Sequence, residues 1–264
     1  AEPEAKCNHV SSRTMEIFRR LGLAGKIRNA GLPADHSNDI SYRTSFTGLE
    51  LSRIPIPCRR DRFDATGGPD TNWPTAEPPH RINQIYLEPI MFDHAAQMQN
   101  LTFLNRTSFK SFNQTDDQVV SIATNLDNGQ EIRIISKYVI GADSGRSKIR
   151  ELIGAKFVGD AVIQRVQPTF IKAPSLMDLQ QTEAAWATFT LNTMRSGNVY
   201  AIDGIETFIV HNYLLDTESS FDEVDRDRSI RTILGVDESF EYETIKNMDW
   251  NAHRFVDAKF RDRR

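Results

Sequence analysis

The sequence has few of the features that mark disulfide-rich, metal-binding, nucleic-acid-binding or membrane proteins. Its 264 residues include two cysteines, Cys7 and Cys58, which form no CxxC pair and no metal-ligand spacing with the six histidines. It has 32 basic and 36 acidic residues, so no positive excess favours nucleic acid. No apolar run reaches the roughly 20 residues of a membrane helix. We therefore expect a reduced, cytoplasmic chain without metal, nucleic-acid or membrane partners.

Familiar catalytic patterns and export signals are also missing. No Ser or Cys lies in a nucleophile-elbow sequence, and the histidines show no triad pattern. The chain opens without a Met on a polar, acidic segment unlike a signal peptide, and it closes on a charged stretch without a terminating element. These ends lead us to interpret the sequence as a fragment of a longer protein.

The composition, 39% hydrophobic and 26% charged, is typical of a globular protein with one large domain or two smaller ones. Hydrophobic periodicity predicts helices at residues 12–21, 26–30, 81–97 and 226–234. Turn residues and β-formers predict a hairpin over residues 40–56 and a β-rich region from residue 157 onward. Further strands are predicted at residues 101–104, 109–115, 119–125, 130–135, 134–140, 188–193, 199–202 and 207–215.

One turn lies where a ligand could bind. The predicted strand 134–140 leads into Gly141-Ala142-Asp143-Ser144-Gly145 and then into a basic helix over residues 146–154. Backbone amides at a helix N-terminus bind phosphate or a ribose diol, an acid accepts hydrogen bonds from sugar hydroxyls, and Gly allows close approach. Many α/β proteins use such a turn for structural reasons alone, so both interpretations stay open.

A second candidate site lies at the start of the predicted helix 81–97. Arg81 and Gln84 are one turn apart, so Gln84 could bind a cofactor while Arg81 supplies charge. The alternative is a solvated helix start. Lys6, just before the first helix, could reach a pyrophosphate or be an exposed tail lysine. Adjacent predicted strands contain Tyr200, Asp203, His211 and Tyr213. These four residues could line a pocket, or they could be ordinary strand residues that alternate between the two faces of the sheet.

Three segments together resemble the FAD-dependent aromatic hydroxylases, the single-component monooxygenases of the para-hydroxybenzoate hydroxylase and phenol hydroxylase family. They are HVSSRTMEIFRRLG at residues 9–22, RINQIYLEP at 81–89 and YVIGADSGRS at 138–147. Their order and spacing match the family, and they span most of residues 5–155. The third is similar to the family's Asp-Gly motif, with Ser144 in place of the usual Gly. Beyond it, only the β-rich character and residues 250–264 resemble the family.

The resemblance implies an α/β fold of mixed α+β character, in two parts. These are a partial Rossmann-like FAD-binding domain, residues 1–39 and 81–158, and a β-sheet substrate domain, residues 40–80 and 159–264. It implies FAD as cofactor, NAD(P)H as co-substrate, and O2 with a small phenol-like aromatic as substrates. Family members hydroxylate the ring through a flavin C4a-hydroperoxide. Such flavoproteins are often homodimers.

The resemblance also implies which residues contact the cofactor, while it leaves the catalytic residues and the aromatic substrate unassigned. Asp143 would face the ribitol or ribose part of FAD, and the turn from Gly141 through Gly145 to Arg146 would lie near the pyrophosphate. Arg81 and Gln84 would touch FAD. Lys6 stands where the family often has a cofactor-contacting Arg.

Two family motifs are missing from the sequence: the N-terminal Gly-x-Gly-x-x-Gly unit with its ribose-binding acid, and the second Gly-Asp motif. We therefore expect weak or no FAD binding by this chain alone, with the full-length parent as the enzyme. Two alternatives remain. One is a flavin reductase or halogenase relative, and the other is a non-catalytic truncated product or interaction module of the same fold.

Overall fold

The computed structural model describes residues 4–6 and 8–264, and it has the mixed α/β fold that the sequence predicts. The described residues form five α-helices: α1 (Ser12–Arg20), α2 (Ala24–Arg28), α3 (Gln84–Ala96), α4 (Lys148–Leu152) and α5 (Arg226–Leu234). They form eleven strands: β1 (Ile40–Arg43), β2 (Glu50–Ile54), β3 (Thr107–Gln114), β4 (Val119–Asn125), β5 (Glu131–Ser136), β6 (Phe157–Lys172), β7 (Ala187–Thr190), β8 (Gly197–Ala201), β9 (Thr207–Tyr213), β10 (Glu243–Asn247) and β11 (Trp250–Asp257).

The chain divides into two compact units. The large unit contains the residues up to Gln97 together with Gln164–Asn251, and the small unit contains Met98–Ile163 and Ala252–Arg264. The assignment of FAD-binding and substrate domains from the sequence concerns function and stays a prediction. Among the described residues, no helix combines the length and the apolar character needed to cross a membrane.

Helix boundaries in the large unit follow from capping. Ser11 accepts a hydrogen bond from the Thr14 amide at the start of α1, and Asp225 accepts one from the Arg228 amide at the start of α5. Gly235 ends α5 with a φ of 75°, which a residue without a Cβ adopts at low cost. The helices predicted at residues 12–21 and 226–234 are therefore confirmed.

A large sheet with strand order β10-β6-β9-β8-β7-β1-β2 forms the body of the large unit. The predicted hairpin becomes the antiparallel pair β1–β2, while β1 pairs with β7 in parallel. Helix α5 packs on one face of this sheet, where the core contains Val199, Phe208, Val210, Ile230 and Ile233. Each such side chain contributes about 1.5–3 kcal/mol when it is fully buried.

Helices α1, α2 and α3 share a second core in the large unit. Met15 and Ile27 are fully buried there, and Ile82 is 2% exposed. Helix α3 begins later than predicted, because Asn83 caps it by accepting a hydrogen bond from the Ile85 amide. Arg81 consequently lies outside the helix and does not share a helical face with Gln84, so this part of the prediction was wrong.

The small unit contains the three-stranded sheet β3-β4-β5, helix α4, and a segment in which β11 pairs with β6. The turn at Asn128-Gly129 connects β4 and β5 as predicted. The strand predicted at residues 101–104 was wrong, and the strand predicted at residues 134–140 ends at Ser136 in β5, so residues 137–140 lie outside the strands. The described part of the chain places no strand beside either segment, and an extended segment forms a strand only where a neighbour pairs with its backbone.

Strands β10 and β11 were missed by the sequence analysis. All five residues of β10 are exposed, so its sequence lacks the alternation of apolar and polar residues that marks a half-buried strand. Cys58 is a free cysteine whose thiol lies 3.2 Å from Asp61 Oδ2, while Cys7 lies outside the described residues.

Candidate functional site

One face of the large sheet carries a row of aromatic and imidazole side chains. Side chains alternate between the faces of a strand, so residues paired in register lie on the same side. The register pairs Tyr42 with Phe189, whose rings stack with centroids 5.5 Å apart. Helix α5 covers the opposite face. We call this row the aromatic face, and it consists of Tyr42, Phe189, Tyr200, His211 and Tyr213.

A cavity of about 340 Å³ opens beside the aromatic face, with a volume typical of small-molecule sites. His211 reaches it from β9, and Lys6 reaches it from the segment before α1. We call it the His211 cavity, and its remaining lining residues are Ala5, Asn8, Pro168, Met248 and Trp250. Most of its wall is apolar, and its few polar groups are one ammonium, one amide and one imidazole.

His211 is held edge-on between two tyrosines. Its ring centroid lies 5.3 Å from that of Tyr200 and 6.5 Å from that of Tyr213, with interplanar angles of 65° and 90°. Burial lowers the pKa of His211 to about 4, so the imidazole is neutral at physiological pH. A neutral imidazole carries one N–H donor and one bare nitrogen acceptor.

Arg81 lies in the large unit against the ring of Trp186. Its guanidinium carbon is 4.0 Å from the ring centroid, and its Nη2 is 4.0 Å from Asp70 Oδ2. The Asp70 carboxylate accepts a hydrogen bond of 2.7 Å from Arg62 Nη2. Desolvation lowers the pKa of Arg81 to about 10, which leaves it a cation at neutral pH. A mostly buried cation of this kind is suited to an anionic ligand group.

The structure brings Lys6 and Gln84 together. The Gln84 amide N–H donates to the Lys6 carbonyl at 3.2 Å, which fixes the segment before α1 against the start of α3. The Gln84 side chain donates to Glu88 Oε1, and the exposed Lys6 ammonium pairs with Glu4. Both side chains therefore have protein partners at the surface, and their contact with a cofactor stays a prediction.

In the small unit, Asp143 caps the short helix α4. Its Oδ2 accepts hydrogen bonds from the Lys148 amide at 2.7 Å and the Ile149 amide at 3.3 Å, and its Oδ1 accepts one from Ser147 Oγ at 2.5 Å. The Ser147 hydroxyl, with help from these amides, holds the pKa of Asp143 below its usual value. The carboxylate thus bonds to the amides that the sequence analysis assigned to a ligand phosphate.

The two glycines of this turn differ in their surroundings. A Cβ on Gly141 would lie 2.8 Å from Ile149 Cβ, whereas a Cβ on Gly145 would meet no atom within 4 Å. Gly141 therefore serves the packing of the turn, and Gly145 leaves its backbone open to a ligand. Both glycines line a cleft of about 940 Å³ together with Asp143. Arg146 is exposed and does not line this cleft.

Sequence reasoning missed Trp186, Tyr42 and Phe189, because no local sequence pattern indicates that β1 pairs with β7. It left open whether four residues of adjacent strands line a pocket; of these, Tyr200, His211 and Tyr213 share the aromatic face, and His211 lines the cavity. Its placement of Asp203 on a strand was wrong, because Asp203 lies in the turn between β8 and β9 and its Oδ1 accepts hydrogen bonds from backbone amides there. Among the described residues, no group of three or more His, Cys, Asp or Glu side chains could hold a metal ion.

Comparison with known proteins defines the class. The chain belongs to the FAD binding domain family, whose model matches residues 1–264. It is 35% identical over 151 residues to phenol 2-monooxygenase of Pseudomonas sp. (strain EST1001), covering 55% of this chain and 23% of that protein. It is 25% identical over 265 residues to a putative polyketide hydroxylase of Streptomyces halstedii, covering 98% of this chain and 45% of that protein. The chain thus spans less than half the length of these relatives.

A solved structure of native and K252c-bound RebC-10x agrees with the fold. Its TM-score with the chain is 0.84 at 26% identity, and the match covers 99% of this chain and 48% of that one. The predicted resemblance to FAD-dependent aromatic hydroxylases is confirmed, because the family match and these hydroxylase and monooxygenase relatives point to the same class.

Proposed function

We propose that the chain is part of an FAD-dependent, NAD(P)H-using monooxygenase that hydroxylates a small phenol-like aromatic. The observation that carries this proposal is the His211 cavity, which combines largely apolar walls with a few polar groups. An aromatic ring with one hydroxyl matches such a lining. The phenol 2-monooxygenase relative supports a phenolic substrate, and the family supports FAD.

The residues of the large unit fit the anionic part of FAD. Arg81 offers a mostly buried guanidinium, and Lys6 is one of the residues that line the His211 cavity. Cationic groups of this type bind phosphate by charge-assisted hydrogen bonds. We assign Arg81, Gln84 and Lys6 to FAD contacts on this basis.

In the small unit, the open space at Gly145 supports a second set of FAD contacts. Glycine without a neighbour allows a ligand to approach the main chain closely. The adjacent Gly141, Asp143 and Arg146 complete this set. In this role Asp143 keeps its bonds to α4 and offers its remaining lone pairs to a sugar hydroxyl.

The overall reaction that we propose consumes one aromatic C–H, O2, NAD(P)H and a proton, and it yields the phenolic C–OH, water and NAD(P)+. FAD, when bound, supplies the electron transfer and the activation of oxygen. The part of this chain is to bind the cofactor and to hold the ring. Its apolar cavity walls exclude water from the reacting carbon.

Titration with FAD of the longer protein that carries this chain, followed by flavin absorbance and fluorescence, tests the cofactor role. We expect saturable binding that Arg81→Gln weakens about tenfold, because a charge-assisted contact is lost. The exposed Arg133 on β5 provides the control, and Arg133→Gln should leave binding unchanged. If that longer protein folds cooperatively but does not bind FAD, the result contradicts this role.

The activity itself is tested on the protein that carries this chain, with NADH and NADPH in turn and with phenol. Hydroxylated product in step with nicotinamide oxidation supports the monooxygenase. Nicotinamide oxidation without product in the presence of phenol and O2 favours a flavin reductase, and a halogenated product favours a halogenase. Absence of all three activities favours a non-catalytic role.

A further inference from the structure

His211 differs from His80 and His36 in its hydrogen bonding. His80 Nε2 lies 3.1 Å from the Ile27 carbonyl, and His36 Nδ1 lies 2.8 Å from the Ser37 carbonyl. No residue of the described chain hydrogen-bonds either ring nitrogen of His211, whose neighbours on the aromatic face are the rings of Tyr200 and Tyr213. The half-buried imidazole therefore keeps its ring nitrogens available to hydrogen-bond a ligand in the cavity.

The surroundings of His211 limit the chemistry of this ligand. The imidazole lines the cavity together with the apolar side chains Met248 and Trp250 and the ring of Pro168. Apolar walls favour a hydrocarbon ring, and a neutral imidazole favours a group that can both donate and accept, as a hydroxyl does. A neutral imidazole offers no positive charge to a carboxylate, and the ammonium of Lys6, the one cationic lining residue, already pairs with Glu4.

We propose that His211 binds the hydroxyl group of the aromatic substrate in the His211 cavity and so fixes which ring position faces the reaction. This inference rests on the proposed function and specifies the substrate contact within it. A hydrogen bond to one ring substituent selects a single orientation, because the apolar walls alone do not distinguish one edge of a ring from another.

The test compares phenol with anisole, which has the same ring but lacks the O–H donor. The purified chain is labelled with 15N at histidine, and the His211 ring resonances are assigned by their loss in His211→Gln. Phenol should shift these resonances saturably, and anisole should shift them far less. Saturable phenol binding that leaves the His211 resonances unchanged overturns the proposal, as does a failure of phenol to bind.

Variants separate the hydrogen bond from packing. His211→Phe keeps a flat ring and should weaken phenol binding about three- to tenfold, which is the range expected for one neutral hydrogen bond. His211→Gln keeps a donor and an acceptor and should bind phenol within about twofold of the wild type. His94→Phe, on the last turn of α3, is the control for replacing a histidine by phenylalanine. Equal phenol affinity of His211→Phe and wild type contradicts the assignment.

This experiment and the flavin titration fail independently. Phenol binding at His211 in the chain, together with no FAD binding by the longer protein, refutes the cofactor role and leaves the substrate contact standing. FAD binding by the longer protein, together with no phenol-dependent change at His211, refutes the substrate contact and leaves the flavin role standing. Thermal unfolding of every variant confirms that each comparison is made between folded chains.

Discussion

The Arg81 guanidinium carbon lies 4.0 Å from the centre of the Trp186 ring, so a residue just before α3 is fixed to the residue that precedes β7. This stacked arrangement depends on the planar shape of the guanidinium as well as on its charge. No sequence pattern connects the two residues, because 104 other positions separate them along the chain. The contact gives Arg81 a structural role in addition to the proposed cofactor role.

Arg81→Lys should lower the free energy of unfolding by about 1 kcal/mol, because the ammonium loses the stacked contact with Trp186. Urea unfolding followed by tryptophan fluorescence measures the change. Arg13→Lys, at an exposed position on α1, is the matched control and should be neutral. An equal effect of both substitutions would show that the stack contributes nothing.

Gly141→Ala should mainly lower the stability of the chain, whereas Gly145→Ala should mainly weaken FAD binding. The new methyl at position 141 would lie 2.8 Å from Ile149 Cβ, so Gly141→Ala should destabilise the chain by about 1–3 kcal/mol. The methyl at position 145 meets open space, so Gly145→Ala should leave stability unchanged and weaken FAD binding. Thermal unfolding and flavin titration measure the two effects, and equal destabilisation by both changes would contradict the packing difference.

Asp143→Ala should destabilise the small unit by about 1 kcal/mol, because α4 loses the carboxylate that accepts from the Lys148 and Ile149 amides. Amide hydrogen exchange at Lys148 and Ile149 should accelerate. Asp116→Ala, at an exposed turn position, should leave both amides unaffected. Unchanged exchange in Asp143→Ala would show that the cap does not persist in solution.

Acid should destabilise the chain through His80. Burial lowers the pKa of His80 to about 3, against an ordinary value of 6.5, so the unfolded chain takes up a proton that the folded chain excludes. The contribution of neutral His80 to the free energy of unfolding is complete above pH 6.5 and is lost as the pH falls toward 3. Over this range the free energy of unfolding falls by up to about 1.4 kcal/mol per pH unit.

His80→Gln should therefore flatten the fall in unfolding free energy between pH 6.5 and 4, measured by urea unfolding at several pH values. Part of the slope should remain, because burial also lowers the pKa of His9 and His211 to about 4. Parallel curves for wild type and His80→Gln would contradict the prediction.

Local chemistry explains the parts of the fold that could be predicted. Helix α5 has an Asp cap and a terminal Gly in its own sequence, and the turn at Asn128-Gly129 specifies the β4–β5 hairpin. Residues 101–104 and 137–140 have β-forming side chains but no described strand beside them, so β-propensity alone predicted strands that the structure does not contain. The start of α3 was predictable in principle, since Asn83 is a strong N-cap residue.

The candidate site was less accessible to sequence reasoning. Tyr200, His211 and Tyr213 could be grouped because they lie on strands that are neighbours in sequence. Tyr42 and Phe189 could not, because their stacking depends on the parallel pairing of β1 with β7. Asp203 was misjudged because its carboxylate serves the turn between β8 and β9, a local demand that competes with any ligand role.

The β1–β7 pairing also has a consequence for how the chain folds during synthesis. The hairpin of β1 and β2 is synthesised before β7, the strand beside it, and residues 55–186 lie between them. Strands β3, β4 and β5 pair with their sequence neighbours and can form during that interval. The edge of β1 that pairs with β7 therefore stays unpaired until β7 has been synthesised. During this time its free backbone groups can pair with strands of other chains.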